Sequence, residues 1–200
     1  MKKLCFLLVF LVFASWAYPV ELKFMAGANL SKSTEPLRGV WFPEASVVSQ
    51  YGAGFVVGGG IEFTLTRNIS LEVDALFFQK GCMLDVRYWD EVIGHSIERM
   101  NELSFPVLLK LYLRPGTSPY LLGGGEFAFA LAKQSDPNNY GFLIQRAEYG
   151  LVFGAGFRKQ VKGAYISVEG RYNHGLQDMA SDFWALRKMG VFSLLVGFTF

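Results

Sequence analysis

The sequence predicts an all-β fold, an eight-stranded antiparallel up-and-down transmembrane β-barrel. Three observations predict it. Eight segments alternate with period two. Their connections alternate between short and long. One face of each segment carries Phe, Leu, Val and Ile, and the other gathers Gly, Ser, Thr and charge. Composition is consistent with this: aromatics reach 16% and charge is 18%, below the usual ~25%. Nineteen basic against 17 acidic residues leave no electrostatic footprint for nucleic acid. Two cysteines, Cys5 and Cys82, are too few for a disulfide scaffold or a Cys-built zinc site.

Residues 1–17 read as a secretory signal peptide, and 18–200 as the barrel domain. Lys2 and Lys3 precede an apolar run from Leu4 to Ala14, and Ser15 and Ala17 have cleavage-site spacing. Cleavage there removes both lysines and leaves 19 − 2 = 17 basic against 17 acidic residues. The apolar run is short of the ~20 residues of a spanning helix. After Ala17 no 18-residue stretch is free of charges and turn formers, which excludes a helical inner-membrane protein. Cys82 would be the one mature thiol. Export without disulfides points to the bacterial envelope.

The first strand is expected over 20–30, where Val20, Leu22, Phe24, Ala26, Ala28 and Leu30 oppose Glu21, Lys23, Met25, Gly27 and Asn29. The second, 53–66, sets Phe55, Val57, Ile61, Phe63 and Leu65 against Gly58, Gly60, Glu62 and Thr64. The third, 69–79, sets Ile69, Leu71, Val73 and Phe77 against Ser70, Glu72 and Asp74. The fourth, 98–113, sets Leu103, Phe105, Val107, Leu109 and Leu111 against Glu102, Ser104, Lys110 and Tyr112. The fifth, 119–132, sets Leu121, Phe127, Phe129 and Leu131 against Tyr120, Gly124 and Glu126. The sixth, 146–158, opposes Tyr149, Leu151, Phe153 and Phe157 to Arg146, Glu148, Gly154, Gly156 and Arg158. The seventh, 164–174, opposes Ile166, Val168 and Tyr172 to Ser167, Glu169, Arg171 and Asn173. The eighth, 190–200, opposes Phe192, Leu194, Val196, Phe198 and Phe200 to Ser193, Gly197 and Thr199.

Period alone does not say which face points in. Small residues fit the crowded lumen of a small barrel, so the glycines on the polar face favour a lipid-facing apolar face. The alternative is a soluble barrel with a greasy interior. Tight turns are expected at Thr66–Asn68, Arg114–Ser118 and Lys159–Gly163, and long polar loops at 31–52, 80–97, 133–145 and 175–189. An even strand count puts both termini on the short-turn, periplasmic side. Terminal Phe200, with Phe198 two before it, resembles the signal read by the barrel-assembly machinery.

Two runs resemble the small outer-membrane β-barrel family that includes the PorT-like proteins. They are Glu102-Leu-Ser-Phe-Pro-Val-Leu-Leu-Lys-Leu-Tyr112 and Pro119-Tyr-Leu-Leu-Gly-Gly-Gly125. Tyr149-Gly-Leu-Val-Phe-Gly-Ala-Gly-Phe157 and Val168-Glu-Gly-Arg-Tyr172 extend the likeness over about residues 20–200. The resemblance implies fold and an outer-membrane location rather than one activity. Some members are tied to protein secretion or gliding, and no catalytic residue is carried over.

The inward charges expected are Glu62, Glu72, Asp74, Glu102, Lys110, Glu126, Arg146, Glu148, Arg158, Glu169 and Arg171. They read either as a lumen plug of paired charges or as an ion path. Lys110 and Glu126, on strands joined by a tight turn, are a plausible cross-strand pair. His95 with Ser96, and His174, do not have the spacing of a positioned catalytic pair. Two histidines so far apart make a metal site improbable. Gly58–Gly60 and Gly123–Gly125 lack a following GK[ST], so they read as close strand packing rather than phosphate cradles. No cofactor is expected. Trp41 and Phe42 in the first long loop, and Tyr88 and Trp89 in the second, either bind a partner or sit in the outer aromatic girdle. The expected role is non-enzymatic: loop-mediated binding or adhesion, envelope support, or a secretion-associated complex. The alternatives are a narrow pore for small solutes and a lipid-modifying enzyme. The expected partners are outer-membrane lipid, the assembly machinery during biogenesis and an unidentified envelope or extracellular protein, with no nucleic acid.

Overall fold

The computed structural model describes residues 19–33, 37–38, 45–88, 91–134, 147–176 and 188–200. The strands are β1 (Val20–Ser33), β2 (Leu37–Arg38), β3 (Ala45–Thr64), β4 (Ile69–Tyr88), β5 (Glu91–Tyr112), β6 (Ser118–Gln134), β7 (Ala147–Val161), β8 (Ala164–Gly175) and β9 (Met189–Thr199). β2 is a two-residue stub on β3, with Leu37 opposite Val47. The eight long strands pair antiparallel in chain order. β1 closes the sheet by pairing with β9 on one side, Phe24 opposite Phe198, and β3 on the other, Phe24 opposite Gly59. Closure leaves no exposed edge, and in lipid every backbone polar group needs a partner within the protein. At the seam, Leu22 and Phe200 exchange both backbone hydrogen bonds, at 2.9 and 3.0 Å.

The faces follow the alternation. Phe24, Leu109, Leu194 and Val196 are half or more exposed, at 60%, 51%, 56% and 56%. Glu72, Ser104 and Ser193 are fully buried. A soluble barrel with a greasy interior would show the reverse.

Three expectations about connections are corrected. Much of the loop expected at 80–97 is strand: β4 runs to Tyr88 and β5 starts at Glu91. Residues 45–52 of the loop expected at 31–52 likewise belong to β3. In these segments the outward row is no longer continuously apolar, so the period-two signal fades although the ladder continues and Ser49, Lys80 and Asp85 stay buried. The turn expected at Lys159–Gly163 narrows to Lys162 and Gly163, whose φ values of 49° and 89° fit a two-residue hairpin turn. At the first short link, the Asn68 side-chain amide donates to the Tyr112 carbonyl at 2.8 Å and ties the turn to β5.

Candidate functional site: the lumen and the projecting hairpins

Inward residues form tiers along the barrel axis, best read on β4. From the short-turn end they are Glu72, Asp74, Leu76, Phe78 and Lys80, a polar tier, an apolar tier and a second polar tier.

In the first tier, Lys23, Lys110 and Arg171 meet Glu62, Glu72, Asp74 and Glu169. Arg171 reaches Asp74 Oδ2 at 2.8 Å, Glu72 Oε1 at 2.7 Å and Glu169 Oε2 at 2.6 Å. Lys23 donates to Glu72 at 3.1 Å and also to Glu169. Lys110 lies 3.1 Å from Glu62 and 3.5 Å from Glu169, and it also donates to Glu72. The Tyr112 hydroxyl donates to Glu62 Oε1, and the Tyr120 hydroxyl to Glu169 Oε1, each at 2.6 Å. Ions taken out of water need this density of partners, because each otherwise costs several kcal/mol. Glycine makes the room. A Cβ at Gly156 would lie 2.6 Å from the Tyr120 ring, and one at Gly197 2.9 Å from Lys23 Cε. Arg158, half-buried at the short-turn end, lies 3.7 Å over the Tyr112 ring and 3.8 Å from Glu62. The space left among Lys23, Glu62, Lys110, Tyr112, Tyr120 and Arg158 is about 10 Å³, at the lower limit for one water.

Leu108, Leu122 and Val152 pack directly beyond Tyr112 and Tyr120. Met25, Val56, Leu76, Phe78, Val191 and Leu195 fill the rest of that level. In the second polar tier Lys80 pairs with Glu102 at 2.6 Å and lies 4.0 Å from Glu148. Glu126 accepts from Ser104 at 2.8 Å and Asn173 at 2.6 Å.

Ten of the eleven expected inward charges therefore lie in the lumen, nine of them buried and Arg158 partly so; Arg146 lies outside the described residues. The expected Lys110–Glu126 pair is a correction. In the β5–β6 register Lys110 faces Leu122, while Glu126 faces Pro106, so the two belong to different tiers. Sequence reading left Lys23 and Lys80 out of the network. The parity of Lys23 opposite Leu22 and Phe24 was the available signal; Lys80 was hidden inside an expected loop. His174 stacks on outward-facing Tyr172 at 6.2 Å, away from the lumen charges. Among the described residues no group of His, Cys, Asp and Glu is arranged to hold a metal ion. Trp41, Phe42 and Trp89 lie outside the described residues. Tyr88 ends β4, 42% exposed.

The family model described as "Outer membrane protein beta-barrel domain" matches residues 15–181. No curated protein matches the chain. Among solved structures, the outer membrane protein OprG of Pseudomonas aeruginosa is similar over 90% of this chain and 95% of that one, with 14% identity and a TM-score of 0.61. Ail, the attachment invasion locus protein of Yersinia pestis, solved with the heparin analogue sucrose octasulfate, covers 90% of this chain and 99% of its own, with 14% identity and a TM-score of 0.45. At such identity the likeness to OprG is one of fold.

Proposed function

This chain belongs to the outer membrane protein beta-barrel domain family and resides in the bacterial outer membrane; from that premise we propose that it is a non-enzymatic scaffold that binds a partner at its long-loop end. The carrying observation is strand length. β3, β4 and β5 run 20, 20 and 22 residues, while ~9–11 tilted residues cross a membrane. About a third of each strand therefore projects beyond the bilayer, on the side opposite the short turns, which in such barrels is extracellular. The projection carries exposed Met83, Tyr88 and Val92. Adhesion, envelope support and a secretion-associated, PorT-like role are forms of this reading, in which the lumen charges act as a structural plug.

A photo-crosslinking benzoylphenylalanine at Tyr88, compared with one at lipid-facing Leu109, tests it in intact cells. A discrete protein adduct at 88 only is expected. No adduct at 88, together with steady conductance in planar bilayers, would replace this reading with the pore. Altered lipid masses on expression would favour the enzyme.

A further inference from the structure

The outer wall carries a groove that the lumen and hairpins do not use. It has a volume of about 470 Å³ and is lined by Leu30, Lys32, Tyr51, Tyr172, Gly190 and Phe192, together with buried Ser33. All but Ser33 lie on the outward parity of β1, β3, β8 and β9. Leu30, Tyr51, Tyr172 and Phe192 are 47%, 60%, 41% and 51% exposed, and Gly190 puts no side chain into the gap between them. The volume is within the ~300–1,000 Å³ of ordinary ligand sites.

We propose that this groove holds one acyl chain of an outer-leaflet lipid whose phosphate head group is bound by Lys32. The position of Lys32 along β1 carries the argument. From Leu22, paired with Phe200 at the short-turn rim, to Lys32 is a rise of ten residues. At about 3.3 Å per residue and a ~40° tilt this is about 25 Å, the height of the lipid-facing band. Lys32 thus stands at the outer head-group level while Leu30 and Phe192 lie just within the hydrocarbon. Its ammonium sits 5.4 Å over the Tyr51 ring, which holds it above the groove mouth. Among the described residues no carboxylate pairs with it. A cation at that level with an apolar channel beneath matches a lipid bearing negative charge on its head. Bulk chains would cover an apolar groove alone, and a free anion would have no use for the channel.

The test is native mass spectrometry of the protein from nanodiscs of phosphatidylcholine containing lipid A, an acylated glycolipid with phosphate groups, as minority component. Wild type is expected to retain one lipid A. Lys32→Gln should lower its occupancy about fivefold, the worth of one interfacial cation, and Lys32→Glu further. Lys32→Arg should restore it, and Lys159→Glu, at the opposite end, should leave it unchanged. Leu30→Trp, which fills the groove and leaves Lys32 in place, should also expel the lipid. Heat-modifiable gel migration confirms that each variant is folded. Wild-type occupancy in Lys32→Glu or in Leu30→Trp would overturn the proposal. So would displacement by inorganic phosphate, which would reduce the site to a simple anion contact, or equal retention of phosphatidylcholine.

Discussion

Glu169 is the residue on which the first lumen tier turns. It accepts from Lys23, Arg171 and Tyr120, and Lys110 lies 3.5 Å away. Replacing it with Gln takes from Lys23 and Arg171 the carboxylate they share. Breaking such a set from one side costs about 3–5 kcal/mol. Glu126 differs, because its partners Ser104 and Asn173 are neutral donors that an amide oxygen serves as well. Glu126→Gln should therefore cost about 1 kcal/mol or less. Urea titrations of both variants in lipid vesicles measure the contrast; equal losses would refute this division of the lumen. Gly156→Val belongs to the same tier. Its side chain displaces Tyr120, and about 1–3 kcal/mol of overpacking is expected in the same titrations.

At the scale of the strand, legibility in the sequence depends on what each face touches. Between Leu103 and Leu111 hydrocarbon lies on one side and a packed lumen on the other, so period two is sharp, and the placement of Leu109 outside and Lys110 inside was readable. Leu109→Arg should cost about 2–4 kcal/mol at mid-membrane, and neutral unfolding behaviour in vesicles would contradict the lipid-facing assignment. Beyond Gln79 the apolar outward row stops and the pattern dissolves, although Lys80 and Asp85 stay buried, so the ends of β4 and β5 read as a loop and Lys80 with them. The pairing of charges was less legible than their direction. Glu62, Glu72 and Glu169 stand 48, 38 and 59 residues from Lys110, and Glu169 reaches it across the lumen from β8 rather than along the ladder. At the seam, Phe200 stacks on Phe24 at 5.9 Å and pairs in backbone with Leu22. Deleting Phe200 opens the last rung of closure. Export should continue while the heat-modifiable, folded fraction falls; an unchanged folded yield would count against it.

For the whole molecule the three stacked tiers decide between plug and pore. The polar tier near the short turns is held by ion pairs that span the barrel from β1, β4 and β5 to β8, Lys23 and Lys110 to Glu169 and Glu72 to Arg171. The apolar tier above it offers an ion no partner and would charge the full desolvation of any that entered. A barrel of about eight strands has room for side chains and little else, and the residual space of about 10 Å³ in the first tier is consistent with that. Wild-type protein in planar bilayers should accordingly show no steady conductance. Weakening one tier should not change this. Tyr112→Ala with Tyr120→Ala removes two rings at 5.0 Å separation, but Leu108, Leu122 and Val152 still close the next level. Only the further changes Leu108→Ala and Leu122→Ala, which breach the apolar tier on adjacent strands, should produce a measurable current. A steady current through the wild type, or one gained from the tyrosine pair alone, would mean that the tiers do not act as independent seals, and the lumen charges would then line a path rather than fill a plug.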